Sequence, residues 1–338
     1  MTRDQVHVDA LPGPIGESCQ RTQCRICTDT RGRRFSANGF DWFHCYSCHT
    51  TQKILTYEQY ENLNPTYDPG AFLDSLDREE IEQFLDVRDA TKVLSDAATK
   101  YFRDDRKKTG QSRSFLDIGC GMGRYLVAAQ RMGFDVTGFE PSTDHARVAT
   151  RLLNLPVTRD YFSAAKVAGN TYDLIMLSHV IEHIYDPRAF VHEIIQVLKP
   201  GGVLIVLTPN NESLVARATG KAWPMLKPVD HVSMIGSLAY DFFGLREIAD
   251  VHHSSSEYPF EFAAAAIAAL RSSMPHSRRN SGADAVSTPR AEPPPLLRFG
   301  VKSKALRWGL TAVSAPMYAA GFAAGRQACL KSIVVRKA

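Results

Sequence analysis

The sequence lacks several features that would assign a protein to a membrane, secreted or nucleic-acid-coating class. Its first twenty residues hold no apolar run of signal-peptide type, because Asp4, Asp9, Pro12, Pro14 and Glu17 interrupt them. No stretch reaches the ~20 mainly apolar residues that a secure membrane span needs. Lys and Arg number 40 against 36 Asp and Glu, and so small a charge excess does not favour nucleic acid as a partner. We therefore expect a cytoplasmic protein.

Cysteines are few but regularly placed. The chain has 7 of them in 338 residues, and in a reducing compartment cysteine pairs bind metal more often than they form disulfides. The C-x2-C-x17-C-x2-C spacing predicts a structural zinc ion held by four thiolates in a ribbon over residues 19–60, after a disordered tail at 1–18. The alternative is a loop of free thiols. The predicted ligands are Cys24, Cys27, Cys45 and Cys48.

The middle of the chain alternates short apolar runs with helical patterns. Residues 61–110 read as a connecting and helical segment, in which Asp77 and Glu80 have the spacing of an N-cap pair. The alternation that follows predicts a doubly wound α/β core over 111–258, with a parallel sheet covered by helices on both faces. A Lys-Pro-Gly-Gly sequence at 199–202 predicts a turn before one strand. The predicted strands are 115–118, 136–139, 174–177 and 203–207.

The last third of the chain departs from this pattern. Residues 271–296 are rich in proline and serine and predict a flexible linker. It would belong to a helical excursion over 259–328. Residues 297–325 combine basic, aromatic and apolar residues, so they either pack on the domain or make peripheral contact with a membrane. The apolar run near the end, within 329–338, predicts a final strand.

A strand running into three glycines is the most informative motif. The sequence Phe-Leu-Asp-Ile-Gly-Cys-Gly-Met-Gly ends at Gly123, and glycines there let the backbone turn tightly beside a ligand. The dinucleotide-binding fingerprint would need glycine where Arg124 stands. Glu140 closes the next predicted strand, where a carboxylate can accept hydrogen bonds from ribose hydroxyls. The motif indicates a cofactor with a ribose.

Four motifs in order resemble one family. LDIGCGMG, GFEPS, YDLIMLSHVIEHIYDP and LKPGGVLIVLTPN are similar to segments of class I S-adenosylmethionine-dependent methyltransferases. The similarity is to the branch that contains the ubiquinone-biosynthesis O-methyltransferases. The resemblance implies a Rossmann-like, doubly wound sheet of seven strands, with the last strand antiparallel and inserted beside the fifth.

The resemblance also assigns candidate cofactor residues. Residues of the glycine loop would surround the methionine part of S-adenosylmethionine, and Glu140 would hold the ribose. Pro141 and Ser142 would lie beside the adenine. Asp160 is expected either to bind the adenine amino group or to be a surface turn carboxylate. The full set of candidates is Asp117, Gly119, Cys120, Gly121, Gly123, Glu140, Pro141, Ser142, Asp160 and Ser178.

Histidines supply the candidate catalytic groups. His231 resembles a residue that faces the substrate cleft in these enzymes and is the first candidate for a general base, the alternative being a hydrogen-bonded structural histidine. His179 is a candidate for lining the junction of cofactor and substrate. Glu182 and His183 match a metal-binding pair of the resembled branch, but His179 stands where that branch has an acid. We expect Glu182 to be a helix cap.

These observations predict an enzyme that methylates an oxygen or carbon of a small molecule or of a glycan or sugar precursor. The Asn/Asp-Pro-Pro-aromatic motif of nucleobase N-methyltransferases is absent. A zinc ribbon before such a domain resembles both sugar C-methyltransferases and ribosomal-RNA guanine methyltransferases. The alternative function is therefore a ribbon that binds RNA or protein on a methyltransferase scaffold, as in an RNA methyltransferase.

Overall fold

The computed structural model describes residues 22–63, 77–102, 112–167, 169–245, 249–256 and 330–337. These residues form two sheets, and helices cover the larger one. The strands are β1 (Gly32–Ala37), β2 (Phe40–Cys45), β3 (Thr51–Lys53), β4 (Ser114–Ile118), β5 (Asp135–Phe139), β6 (Val157–Thr158), β7 (Tyr172–Ser178), β8 (Leu198–Pro209), β9 (Ser233–Met234), β10 (Ala249–Ser256) and β11 (Leu330–Lys337). The α-helices are α1 (Tyr57–Glu61), α2 (Arg78–Phe84), α3 (Val87–Tyr101), α4 (Arg124–Arg131), α5 (Thr143–Arg147), α6 (Pro187–Gln196) and α7 (Leu214–Thr219).

The larger sheet has seven strands in the order β10-β11-β8-β7-β4-β5-β6. Strands β4 to β8 pair in parallel, whereas β11 runs antiparallel to both β8 and β10. The last strand is thus inserted beside β8, with Ile333 opposite Val206. This arrangement confirms the predicted fold class. It also brings the carboxyl ends of β4, β5, β7 and β8 to one edge, where doubly wound folds bind ligands.

Local sequence explains the core elements. The side chains of Phe115 and Leu116 in β4 are both buried, as expected of a parallel strand covered on both faces. Helix α2 begins with a capping box, in which the Asp77 carboxylate accepts from the Glu80 N–H and the Glu80 carboxylate accepts from the Asp77 N–H. This N-cap pair is as predicted. Leu94 of α3 is fully buried in the same apolar cluster as α4.

The prediction that residues 199–202 form a turn before the strand is wrong, because these residues lie inside β8. Gly201 has a φ of +72°, and the pairing register of β7 with β8 shifts over this stretch, from Tyr172 opposite Leu198 to Leu174 opposite Val203. The glycine conformation is therefore accommodated as an irregularity of the strand.

The smaller sheet joins the N-terminal part to the core. Its order is β1-β2-β3-β9, and its fourth strand comes from residues more than 170 positions later in the sequence. We call residues 22–54 the ribbon. The division into domains drawn from the sequence stays a prediction. The predicted tail 1–18, the linker 271–296 and the stretch 297–325 lie outside the described residues, and no described helix is long and apolar enough to cross a membrane.

Candidate active site

The glycine loop turns directly after β4. Gly119, Gly121 and Gly123 have φ values of +67°, +53° and +93°, in the left-handed region that favours glycine. A Cβ on Gly119 would come within 2.6 Å of a methyl of Val180, and one on Gly123 within 2.5 Å of a methyl of Leu155. A Cβ on Gly121 would meet nothing within 4 Å. Two glycines thus allow close packing, and the third borders open space.

Glu140 fixes the shape of this loop from the end of β5. Its buried carboxylate accepts a hydrogen bond at Oε2 from the Gly121 N–H and at Oε1 from the Ser142 N–H, each at 2.8 Å. Each carboxylate oxygen has two lone pairs, so both can accept a further bond from a ribose hydroxyl. Glu140 is therefore held in place for the role that the sequence predicts.

Asp117 is a buried acid near the carboxyl end of β4. Its side chain is 1% exposed, and neither carboxylate oxygen has a hydrogen-bond partner among the described residues. Burial raises the pKa of Asp117 well above its ordinary value, against the attraction of Arg124. A buried acceptor without a donor costs about 1–3 kcal/mol. The cationic amino group of a methionine-type ligand would supply that donor, so the loop fits S-adenosylmethionine.

The other candidate cofactor residues lie at the same edge of the sheet, in different environments. Ser142 is the N-cap of α5 and Pro141 is exposed. The Cys120 side chain is buried, and Ser178 ends β7 half-buried. Their ligand contacts remain predictions.

Asp160 is engaged at the surface. Its carboxylate pairs with the Lys166 ammonium at 2.7 Å and accepts from the Tyr161 N–H. These contacts are those of a surface turn carboxylate, the second of the two roles considered, while its role towards adenine stays a prediction.

A second polar cluster follows β7. Ligating atoms of Glu182, His183 and His231 lie within 4.8 Å of one another. Glu182 is fully buried, its Oε2 accepts from the Thr208 hydroxyl at 3.0 Å, and its Oε1 lies 3.1 Å from the His179 Nδ1. The expectation that Glu182 caps a helix is wrong, because its carboxylate points to side chains of β8 and of its own loop. Burial opposes ionisation, but the histidines keep the pKa of Glu182 below its ordinary value.

The two inner histidines of this cluster have opposite pKa shifts. Burial lowers the pKa of His231 despite the nearby Glu182 carboxylate. Burial also disfavours the charged form of His183, but its hydrogen bond with Asp230 and the charge of Glu182 raise its pKa overall. The rings meet edge to face, with centroids 4.9 Å apart. Neighbouring groups whose pKa values are pushed apart are typical of acid–base sites.

A hydrogen bond determines which nitrogen of His231 can accept a proton or bind a metal. Its Nδ1 lies 2.8 Å from the Met225 carbonyl, which can only accept, so Nδ1 carries the proton in the neutral ring. The Nε2 lone pair then remains available as a base or a metal ligand. A carboxylate and two imidazoles also form a donor set that suits a divalent transition metal.

The four cysteines predicted as ligands lie together in the ribbon. Their sulfurs lie within 4.8 Å of one another, with Cys24 and Cys48 at 3.5 Å and Cys27 and Cys45 at 3.4 Å. Four sulfurs placed ~2.3 Å from one zinc ion would be about 3.8 Å apart. Hydrogen bonding with Cys48 lowers the pKa of Cys24 to about 5 and favours one thiolate, whereas burial raises the pKa of Cys27 to about 12, so the shifts alone do not favour four thiolates. The arrangement fits a tetrathiolate zinc site.

Two cations of the ribbon, the buried Lys53 and the half-buried Arg25, hold the segment that carries His231. We call residues 228–234 the histidine loop. Lys53 is fully buried, and its ammonium donates to the carbonyls of Pro228 and Val229 at 3.0 and 2.6 Å. The Arg25 guanidinium donates to the Val232 carbonyl at 3.0 Å. Sequence reasoning missed both residues, because their partners lie 207 and 175 positions later in the sequence.

The chain matches known proteins over its central part. Residues 84–241 match the family model described as a methyltransferase domain. The ubiquinone biosynthesis O-methyltransferase of Methylobacterium nodulans is 33% identical over 124 residues, which cover 35% of this chain and 50% of that protein. Its counterpart from Photorhabdus laumondii is 34% identical over 120 residues, covering 33% of this chain and 47% of that protein. The chain thus spans about half the length of these curated relatives.

Among solved structures, a SAM-dependent methyltransferase from Archaeoglobus fulgidus has 15% sequence identity and a TM-score of 0.41, covering 73% of this chain and 94% of that one. The strand order described above and the family match of residues 84–241 carry the assignment of the core. That match contains the glycine loop, Glu140 and the histidine cluster. Residues 84–241 of this chain are a methyltransferase domain of the class I type, preceded by a cysteine ribbon.

Proposed function

We propose that the protein transfers the methyl group of S-adenosylmethionine to an oxygen or carbon of a small molecule. The buried carboxylate of Asp117, which has no hydrogen-bond partner among the described residues, carries this proposal, because a cationic ligand group would supply the missing donors. Gly119 and Gly121 would line the methionine part, and Glu140 would accept from the ribose hydroxyls. The relatives named above are O-methyltransferases, which favours an oxygen acceptor over a carbon acceptor.

His231 is the general base of the proposed reaction. When bound, S-adenosylmethionine supplies a methyl group on a sulfonium, a good leaving group, so catalysis needs positioning and removal of the acceptor proton. The Nδ1–H of His231 donates to Met225, and its Nε2 takes the proton from the acceptor hydroxyl. The buried Glu182 carboxylate and Asp230, which pairs with His183, stabilise the positive charge that His231 gains, whereas His183 opposes it. The other possible use of this cluster is a divalent ion held by Glu182, His183 and His231, which would occupy the Nε2 lone pair of His231. His179 contacts Glu182 and lines the junction of the two ligands.

The ribbon in this proposal binds one structural zinc ion through Cys24, Cys27, Cys45 and Cys48. Its buried contacts with the histidine loop support a role within the enzyme. An acceptor from glycan or sugar metabolism remains within the proposal. The alternative, in which the ribbon binds RNA or protein, draws support from exposed cations such as Arg33 and Arg34.

Replacing Gly121 with Val is expected to weaken S-adenosylmethionine binding at least 100-fold while the protein stays folded. A branched side chain is strained at a φ of +53°, and its bulk would fill the open space beside the loop. Gly133→Val is the matched control, since Gly133 has a φ of +84° and open surroundings but precedes β5, at the opposite edge of the sheet. Equal binding by the Gly121 variant and the unaltered chain, measured by calorimetry, would show that the cofactor site is misplaced.

Incubating the purified protein with S-adenosylmethionine labelled at its methyl group and a cell extract tests the activity itself. We expect label in small molecules after protein and RNA are removed, and none with Gly121→Val. Label confined to RNA or protein would favour the alternative function. No transfer to any fraction, by a chain that binds the cofactor, would contradict the proposed activity.

A further inference from the structure

A cleft of about 410 Å³ lies between the ribbon and the segment that follows β8. This size is within the range of pockets that hold small molecules. We call it the ribbon cleft. It is lined from the ribbon side by Arg33, Phe35, His44, His49 and Thr51, and from the other side by Asn211, Glu212, Ala216, Arg217, Gly220, Lys221, Trp223 and Leu226.

Positive charge predominates in the walls of the ribbon cleft. Arg33, Arg217 and Lys221 are exposed at its surface. The single acid, Glu212, is already committed to the protein, because its carboxylate contacts the His49 ring at 2.9 Å and accepts from both the N–H and the hydroxyl of Ser237. Three cations against one engaged carboxylate favour an anionic ligand.

Two residues that line the ribbon cleft each have a buried polar atom without a hydrogen-bond partner among the described residues. The Trp223 side chain is 2% exposed, yet its Nε1–H has no acceptor within the described part of the chain. Asn211 donates through Nδ2 to the His49 carbonyl at 2.7 Å, while its Oδ1 has no donor there. A buried donor and a buried acceptor that both lack partners indicate an absent ligand or ordered water. A ligand that satisfied both would carry an anionic oxygen and a hydroxyl or amino group.

The ribbon cleft lies next to the segment that orients His231, the proposed base. Asn211 and Glu212 lie two and three residues after the end of β8, so the cleft lies at the ligand-binding edge of the large sheet. Trp223 and Leu226 flank Met225, whose carbonyl accepts from His231. A ligand in the cleft would therefore touch the same short segment that orients the catalytic ring.

We propose that the ribbon cleft binds the phosphate group of the methyl acceptor, which makes the acceptor a phosphorylated small molecule with at least one hydroxyl or amino group. Arg33, Arg217 and Lys221 provide charge and donors for several phosphate oxygens. Trp223 Nε1–H donates to a phosphate oxygen, and Asn211 Oδ1 accepts from the hydroxyl. The identity of the ligand as the acceptor rests on the proposed function, whereas phosphate binding does not.

Calorimetry of the full chain with pyrophosphate and with a nucleoside diphosphate tests the proposal without methyl transfer. We expect both to bind, and the double variant Arg217→Gln, Lys221→Gln to bind at least tenfold more weakly. The control replaces the exposed cations Lys92 and Arg188, outside the cleft, with Gln. Trp223→Phe keeps the ring and removes the donor, and it should weaken binding about tenfold.

The results separate this proposal from the cofactor site. Binding of S-adenosylmethionine without any binding of pyrophosphate or nucleoside diphosphate would overturn the phosphate site and leave the proposed function standing. Equal weakening by the cleft and control variants would also overturn it, because the attraction would then be general. Binding of a single-stranded RNA oligonucleotide at the cleft, with no binding of the two small phosphates, would assign the cleft to RNA and contradict the proposal.

Discussion

Replacing Cys45 with Ser is expected to abolish zinc binding and unfold the ribbon. The buried apolar side chains of the ribbon lie in clusters shared with the rest of the chain, so the ribbon has no apolar core of its own among the described residues. In such modules metal binding supplies most of the folding free energy. Elemental analysis should find one zinc per unaltered chain and close to none in the variant. Limited proteolysis should then cleave within residues 22–54. Cys19→Ser is the control, because Cys19 lies outside the repeated spacing. Zinc content unchanged by Cys45→Ser would exclude the tetrathiolate site.

The same substitution should also reduce methyl transfer while S-adenosylmethionine still binds. Lys53 and Arg25 position the histidine loop through its carbonyls, and β3 pairs with β9 at the end of that loop. Burial lowers the pKa of Lys53 to about 8, because its ammonium is taken out of water while Asp230 offers only partial compensation. An unfolded ribbon would release the loop and with it His231. Activity that survives loss of the ribbon would refute this coupling.

Replacing His231 with Gln is expected to lower kcat about 100- to 10,000-fold, the usual contribution of a general base. Gln is similar in size and uncharged, so folding and cofactor binding should change little. Stopped assays with labelled S-adenosylmethionine and the acceptor identified in the extracts would measure the effect. A variant with unaltered kcat would assign His231 a structural role.

The pH profile gives a second readout for the same residue. The base form of His231 is the neutral ring, and burial lowers its pKa below the ordinary value of about 6.5. The rate of methyl transfer should therefore not depend on the protonation of His231 near pH 7. The rate should fall about tenfold per pH unit once the pH drops below the lowered pKa. The Gln variant should lose that acidic limb. A limb that persists unchanged in the variant would belong to another group.

Sequence patterns predicted the features that are local in the chain. The glycine loop, the N-cap pair of α2 and the buried strands each occupy a short stretch with its own signal, and the structure contains all of them. The order of the strands and the antiparallel last strand came from the resemblance to a known family. The spacing of the four cysteines likewise brought their sulfurs together as expected.

Features that depend on distant contacts could not be predicted in this way. Strand β9 has two residues, too few for a periodic pattern, and it forms only because β3 of the ribbon offers it a partner. Glu182 was expected to cap a helix as the alternative to metal binding, whereas the hydroxyl of Thr208 on β8 and the His179 ring determine its place. That the Asp117 carboxylate has no hydrogen-bond partner among the described residues can be recognised only from the structure.

Titration of the unaltered chain with S-adenosylmethionine in a calorimeter tests the proposed cofactor site most directly. We predict that one molecule binds per chain. We also predict that S-adenosylhomocysteine competes, because it keeps the amino group that would bind Asp117 and the ribose that would bind Glu140. No heat of binding from a folded, zinc-loaded chain would contradict the assignment of the glycine loop and, with it, the proposed methyl transfer.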